Sequence, residues 1–168
     1  MARRLDTATL GDHLDRLYRA AWALTGSRED AEDLVQDTYT RVLARPRFLR
    51  REDDLGYLLR VLRNTFLNTK RTEQRRPRTQ PIAEGFEPVE ERVSTRPDRV
   101  LETKEVFEAV AALADDFRDV VVAVDVVGLS YAEAARALGT REATITSRLY
   151  RARAQVARGM EPHREGVL

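Results

Sequence analysis

The chain has 168 residues, of which 42% are hydrophobic and 34% are charged, and its formal net charge is +1. This composition is too apolar for a disordered chain and too charged for a membrane span, and the length suits one ordinary domain or two small helical ones. The polar N-terminus predicts no signal peptide, and the absence of cysteine excludes disulfides and thiolate metal sites, so we expect a cytoplasmic protein.

Basic residues are concentrated in two segments of the chain. Between Arg41 and Arg78 there are twelve Arg or Lys residues and four acids, and between Arg136 and Arg158 there are six Arg residues and only Glu142. Two basic segments in an otherwise balanced chain indicate two contacts with a polyanion. The alternative is that both segments are solvated helix faces.

The first half of the chain predicts three helices. The apolar face of the first helix consists of Leu10, Leu14, Leu17, Ala21 and Leu24, and Thr25-Gly26 ends it. Ser27, with Asp30 three residues later, predicts the N-cap of the second helix, which Pro46 stops. This helix turns inward the residues Ala31, Leu34, Val35, Thr38 and Val42.

The outer face of the second predicted helix is acidic. It carries Glu29, Asp33, Gln36, Asp37 and Thr40. Such a face cannot favour DNA, because phosphates carry the same charge. It is either a solvated face or a docking surface for a basic protein partner.

The third predicted helix follows the acidic start Glu52-Asp53-Asp54 and ends before Pro77. Its apolar face consists of Leu55, Leu58, Leu59, Leu62 and Phe66. Its exposed face is basic and rich in amides, with Arg60, Arg63, Asn64, Asn68, Arg71 and Arg75. An acidic helix beside a basic one suggests a module that holds a protein with one face and nucleic acid with the other.

Periodicity fails from about Pro77 to Asp98, where four prolines and Gly85 interrupt an acidic stretch. We interpret this stretch as a flexible linker. The chain then divides into a first module over residues 1–77, a linker over 78–98, a second module over 99–160 and a tail over 161–168.

The second module also predicts helices. The first lies near Val100–Leu113, and a second, marked by Phe117, Val120, Val121 and Val124, is closed by Gly128. The run from Val120 to Val127 is also compatible with a buried strand, but no partner strand is visible, so we favour a helix. Ser130 with Glu133 predicts a capping box for a short helix, Tyr131 to Leu138, that ends at Gly139. Thr140 is the predicted cap of a last helix that buries Ile145, Leu149, Ala152 and Val156.

A short helix, a glycine turn and a second helix form a helix-turn-helix pattern from Leu129 to Arg153. One face of the second helix carries Thr144, Ser147, Arg148 and Arg151, which suit phosphates and base edges in a major groove. The alternative is a helical hairpin with a polar outside. An enzyme is not indicated: His13 and His163 have no neighbouring His or Cys ligand, there is no phosphate loop or serine elbow, and we expect no cofactor and no metal.

The segment Asp30-Ala-Glu-Asp-Leu-Val-Gln-Asp-Thr-Tyr39 resembles region 2 of bacterial RNA polymerase sigma factors. The resemblance implies that Asp33, Leu34, Gln36 and Asp37 contact core RNA polymerase; for Leu34, packing in the core of the module is the alternative. It also implies contacts with the promoter −10 element by residues of the third helix and of the loop Pro46-Arg-Phe-Leu-Arg50, where the family captures a flipped base. These residues are Arg47, Phe48, Arg60, Arg63, Asn64, Asn68 and Arg71.

The segment from Gly128 to Arg153 is similar to sigma region 4, which reads the −35 element. The implied −35 residues are Arg141, Thr144, Ser147, Arg148 and Arg151. Both motifs occur in the family's order, so the resemblance is to the small extracytoplasmic-function sigma factors. It implies an all-α fold in which a three-to-four-helix region 2 bundle and a region 4 helix-turn-helix domain are joined by a flexible linker.

The resemblance also implies the partners. They are core RNA polymerase, promoter DNA and an anti-sigma factor, with no small-molecule substrate and no catalysis by the chain itself. Two other functions are compatible with the residues: a free-standing helix-turn-helix regulator that binds DNA without polymerase, and a protein-interaction adaptor.

Overall fold

The computed structural model describes residues 3–5, 7–45, 48–49, 54–75 and 97–161. The predicted linker for the most part, the residues Arg47, Glu52 and Asp53, and the tail beyond residue 161 lie outside the described residues. The all-α prediction is confirmed, with one two-residue ladder as the exception. The helices are α1 (Thr7–Asp12), α2 (Leu14–Thr25), α3 (Arg28–Ala44), α4 (Asp54–Arg75), α5 (Pro97–Ala111), α6 (Asp115–Val121), the π-helical segment Val122–Val126, α7 (Tyr131–Leu138) and α8 (Glu142–Met160).

The first predicted helix is two helices in the structure. The chain turns at His13, whose N–H donates to the carbonyl of Leu10 while its own carbonyl accepts from Leu17. Because α1 ends at Asp12 and α2 begins at Leu14, the apolar face that contains Leu10 is not continued through the turn, and Leu14 is 44% exposed. The prediction that Leu14 faces the core was therefore wrong, whereas Leu10, Leu17, Ala21 and Leu24 are buried as expected.

The turn between α2 and α3 follows the sequence prediction. Gly26 lies in the left-handed region with φ 76°, and its N–H donates to the carbonyl of Trp22. Ser27 has extended backbone, and its hydroxyl accepts from the N–H of Asp30. These two local signals fix the direction in which α3 leaves the turn.

The bundle of α2, α3 and α4 forms the core of the first module. The five predicted inward residues of α3 are all buried, and Leu58, Leu59, Leu62 and Phe66 of α4 pack against them. Tyr39 lies partly buried at the edge, where its hydroxyl donates to the carbonyl of Leu10 at 2.9 Å. The strands β1 (Arg3–Arg4) and β2 (Phe48–Leu49) pair antiparallel, which holds the N-terminal segment against the chain that follows α3.

The valine-rich run of the second module is helical, as expected, but its second half is wider than an α-helix. Over Val122–Val126 the bonding is π-helical, and the N–H of Val127 donates to the carbonyl of Val122. Val120, Val121, Val122 and Val127 are buried, so this element forms the centre of the module. The helix before it, α5, begins at Pro97, three residues earlier than predicted.

The helix-turn-helix forms from α7 and α8. The hydroxyl of Ser130 accepts from the N–H of Glu133, and α7 ends at Gly139 with φ 65°, both as predicted. Thr140 is not the cap of α8: the N-cap position is Arg141, which forms no side-chain cap bond. The N–H of Thr140 instead donates to the carbonyl of Ala135, so Thr140 closes the end of α7 and the helix starts one residue later.

The two modules pack against each other. Helices α2 and α4 of the first module contact α5, the π-helical segment and α7 of the second. In the described ranges, no helix is both long and apolar enough to cross a lipid bilayer.

Candidate polymerase and nucleic-acid interfaces

The acidic face of α3 lies in solvent because the opposite face of the helix packs into the core. Asp33, Gln36 and Asp37 are exposed, while Leu34 is buried in the core. Thr38, on the buried side, satisfies its hydroxyl by donating to the carbonyl of Leu34 at 2.7 Å. Leu34 therefore positions the helix, and the other three side chains form a polar stripe whose charge attracts a basic protein surface.

The C-terminal half of α4 presents a second polar stripe. Asn64, Asn68 and Arg71 are exposed and recur at helical spacing, so they share one face. Lys70 lies with its ammonium 4.8 Å from the centre of the Phe66 ring. Amides that both donate and accept suit base edges, and arginine suits phosphate oxygens.

Two of the predicted −10 residues on α4 are engaged by the second module. Arg60 donates to the carbonyls of Arg136 and Ala137 at 2.6 Å and 3.1 Å. Arg63 donates to a carboxylate oxygen of Asp119 at 2.6 Å. The side chain of Arg63 is 29% exposed and that of Asp119 is 6% exposed. Arg60 and Arg63 therefore contact the second module, whereas Asn64, Asn68 and Arg71 face solvent.

Asp119 was not anticipated from the sequence. Burial raises the pKa of its carboxyl above the ordinary value, and the hydrogen bond from Arg63 opposes that increase. The acidic run from Glu102 to Asp119 gave no sign that one of its members is buried, because the inward turn of Asp119 depends on contacts with α4.

The loop after α3 is described only in part. Arg47 lies outside the described residues, and for Phe48 the structure gives the backbone, which pairs with Arg4 in the two-stranded ladder. The predicted roles of Arg47 and Phe48 therefore stay predictions.

Helix α8 is anchored by Ile145, Leu149 and Ala152, which are buried against the rest of the second module. The opposite face is open: Arg141, Ser147 and Arg151 are exposed, and Thr144 is half-buried at the border. Tyr150 is 80% exposed on the same side, a residue that sequence reasoning missed although it lies three positions after Ser147. The arrangement offers hydroxyl, guanidinium and aromatic groups from one rigid helix, as groove recognition requires.

Arg148 differs from the other predicted −35 residues because it has an intramolecular partner. Its guanidinium lies 3.7 Å from a carboxylate oxygen of Asp116, and both side chains are at least partly exposed. The flank on the other side of α8 is held by Arg153, which donates two hydrogen bonds to Asp125 at 2.6 Å and 3.0 Å. The hydrogen bond with Asp125 raises the pKa of the Arg153 guanidinium, so this arginine stays charged at all working pH values.

Each of the two modules matches a known protein family. Residues 10–76 match the family model described as sigma-70 region 2, and residues 103–156 match that described as sigma-70 region 4.

Two curated relatives illustrate the likeness. The chain is 32% identical over 157 residues to the ECF RNA polymerase sigma factor SigE of Mycolicibacterium smegmatis, a match that spans 90% of this chain and 60% of that protein. It is 35% identical over 134 residues to the ECF RNA polymerase sigma factor SigC of Mycobacterium tuberculosis, spanning 79% of this chain and 71% of that protein.

Two solved structures share the fold. The sigma factor RpoE of Bartonella quintana, crystallised with the anti-sigma factor NepR, superposes with a TM-score of 0.65 at 24% identity, over 92% of this chain and 95% of that one. CnrH, in complex with the cytosolic domain of CnrY, gives a TM-score of 0.63 at 23% identity, over 92% of this chain and 86% of that one.

Proposed function

Because the chain belongs to the extracytoplasmic-function sigma factors of the sigma-70 family, we propose that it binds core RNA polymerase and directs promoter-specific transcription initiation. The observation that carries the proposal is the pairing, in one chain, of an acidic stripe on α3 with a helix-turn-helix whose exposed face is basic. The polymerase performs the chemistry, and the chain acts as a cytoplasmic subunit rather than as an enzyme.

The first module contributes the polymerase contact. Asp33, Gln36 and Asp37 form the docking stripe, and the buried Leu34 keeps the stripe turned outward. An acidic stripe favours encounter with a basic protein surface and disfavours the phosphate backbone, so it directs this face to polymerase rather than to DNA.

The same module engages the −10 element through α4. The exposed Asn64, Asn68 and Arg71 supply the contacts that are available in the structure as it stands. Arg60 and Arg63 contact the −10 element as well when their hydrogen bonds to the second module are broken. Arg47 and Phe48 complete the set in the role that the family resemblance implies.

The second module places α8 in the major groove of the −35 element. Arg141, Thr144, Ser147 and Arg151 lie on or beside its open face, and Arg148 contributes after release from Asp116. Both similar solved structures hold a second chain, which in the Bartonella protein is an anti-sigma factor, and we propose that this chain too is held inactive by an anti-sigma partner.

Run-off transcription tests the proposal. Purified bacterial core polymerase is supplied with fragmented genomic DNA, with and without the chain, and discrete transcripts that require the chain are expected. Absence of such transcripts, together with failure to co-elute with core polymerase, would refute the sigma-factor function. Tight DNA binding by the chain alone under those circumstances would favour the free-standing regulator.

A matched pair of charge reversals tests the docking stripe. Asp37→Arg is expected to reduce co-elution with core polymerase at least about tenfold, because it introduces repulsion at the basic surface. Glu105→Arg makes the same charge change at an exposed position of α5, in the second module, and is expected to have no effect. Equal losses in both variants would show that net charge, and not the stripe, controls binding.

A further inference from the structure

The side chains that α8 turns towards the core become smaller in its C-terminal half. Ile145 and Leu149 are large and fully buried, but the next buried residue is Ala152, and Val156 is only partly buried. Apolar contact is non-directional, and a single methyl group offers little resistance to rotation of a helix about its axis. The core therefore holds this half of α8 in place but restricts its rotation only weakly.

A charged pair supplies the directional contact that the apolar packing lacks. Arg153 donates from Nε and Nη2 to the two carboxylate oxygens of Asp125, at 3.0 Å and 2.6 Å. Two parallel hydrogen bonds between a guanidinium and a carboxylate restrict their relative orientation as well as their distance. Asp125 lies in the π-helical segment. The pKa of Arg153 is raised mainly by the hydrogen bond to Asp125 and to a smaller extent by Tyr131, the first residue of α7. The guanidinium thus connects α8 with the two elements that precede it.

The position of Arg153 differs from that of the arginines proposed to contact DNA. It follows Arg151 by two positions, which is roughly 200° around a helix of about 3.6 residues per turn. Its partner Asp125 is partly exposed, so a carboxylate lies beside the helix that is proposed to enter the major groove. An acid in this place opposes phosphate binding, so electrostatics alone predicts that its removal strengthens DNA binding.

We infer that Asp125 and Arg153 are positioning residues of the −35 interface: the pair fixes the rotation of α8, which directs Ser147 and Arg151 at base edges, without contacting DNA itself. The inference deepens the proposed function and rests on it. A recognition surface must be held within about 0.5 Å and 10–20° of its productive geometry. Loss of the pair is therefore expected to weaken discrimination between DNA sequences more than overall DNA binding.

The substitution Asp125→Asn separates positioning from electrostatics, because the two roles predict different results. The amide keeps the size of the carboxylate but loses its charge and one of its two acceptor oxygens. Holoenzyme binding is measured by anisotropy on two promoter fragments, one with the −35 element identified from run-off transcripts and one with that element replaced. We expect the ratio of the two affinities to fall at least about fivefold, the lower limit for one lost base contact. Tighter binding to both fragments with an unchanged ratio would refute the inference.

The substitution Arg153→Gln tests the other partner. Arg158→Gln is its matched control, because both arginines are exposed on the same helix. Arg153→Gln is expected to lower the affinity ratio as Asp125→Asn does, and Arg158→Gln to change it less than about twofold. The dependence of affinity on salt should be the same for Arg153→Gln and the wild type. A decrease of about one in the slope of log affinity against log salt would show that Arg153 contacts a phosphate itself, and would overturn the inference.

An exchange of the two charges and a stability measurement complete the test. Asp125→Arg combined with Arg153→Asp restores an opposite-charge pair and is expected to return the affinity ratio to within about twofold of the wild type. Because the pair is partly exposed, each single variant should lower the urea midpoint far less than Leu149→Ala, which removes a buried side chain. A midpoint as low as that of Leu149→Ala, or an exchange that restores nothing, would refute positioning by this pair. A wild-type holoenzyme that does not distinguish the two fragments would instead refute the proposed −35 function.

Discussion

The sharpest test of the recognition helix is the replacement of Arg151 by alanine. Arg151 lies on the open face of α8, is exposed, and forms no ion pair or hydrogen bond within the described residues. Its removal therefore leaves the module intact and takes away only what the side chain gives to DNA. A base contact by arginine is worth ~1–3 kcal/mol, which corresponds to a loss of about 5- to 150-fold in affinity.

The loss of affinity expected for Arg151→Ala can be compared with the losses for alanine replacements of two other arginines of α8. Arg148 must first leave Asp116, 3.7 Å away, and an exposed pair of this kind is worth ~0.2–1 kcal/mol, so Arg148→Ala is expected to cost less than Arg151→Ala. Arg158 occupies the same face seven residues later, about 10.5 Å further along the helix axis, and is exposed. Arg158→Ala is the matched control, with an expected loss of under about twofold.

The assay is anisotropy of labelled promoter DNA with the reconstituted holoenzyme at fixed salt. Two fragments are compared, one with the −35 element identified from run-off transcripts and one with that element replaced. The loss for Arg151→Ala is expected on the first fragment alone, with binding to core polymerase unchanged. Equal losses on both fragments, or equal losses for Arg151→Ala and Arg158→Ala, would refute the assignment of α8 to the −35 element.

Two further predictions concern the packing that positions these surfaces. Leu149→Ala is expected to destabilise the chain by ~2–5 kcal/mol, seen as a lower urea midpoint, because the Leu149 side chain is buried on the inner face of α8. Tyr150→Ala, on the exposed face of α8, should leave the midpoint unchanged within error. A similar midpoint for both variants would contradict the orientation of α8. Tyr39→Phe removes the hydrogen bond to the carbonyl of Leu10 and is expected to cost ~0.5–1.5 kcal/mol near neutral pH. Burial raises the pKa of Tyr39 from 10.0 to about 12, so the phenol's contribution is complete below pH 10 and the wild type should lose stability relative to Tyr39→Phe as the pH rises towards 12. A constant difference between the two midpoints across that range would show that Tyr39 is not buried in solution.

Most of the helix boundaries were predictable, because the signals that set them are local. Ser27 and Ser130 each cap a helix through an N–H three residues later, and Gly26 and Gly139 each end one with positive φ. Such interactions are formed by neighbours in the chain, so residue identity and spacing are sufficient to predict them. The prediction failed at Leu14 because helical spacing places an apolar residue on the buried face only within one continuous helix. The chain turns at His13, between α1 and α2.

The sequence by itself determined the family, the all-α fold, and the identity of the acidic and basic surfaces, since periodicity, caps and two ordered motifs are properties of short stretches. Only the tertiary structure decided which charged residues are available. Arg63 meets Asp119 across 56 positions, and Arg60 meets the end of α7 across 76 and 77. No pattern in either stretch encodes those pairs, because they arise from the way the two modules pack, and the same packing buries Asp119 and brings Trp22 onto Phe107.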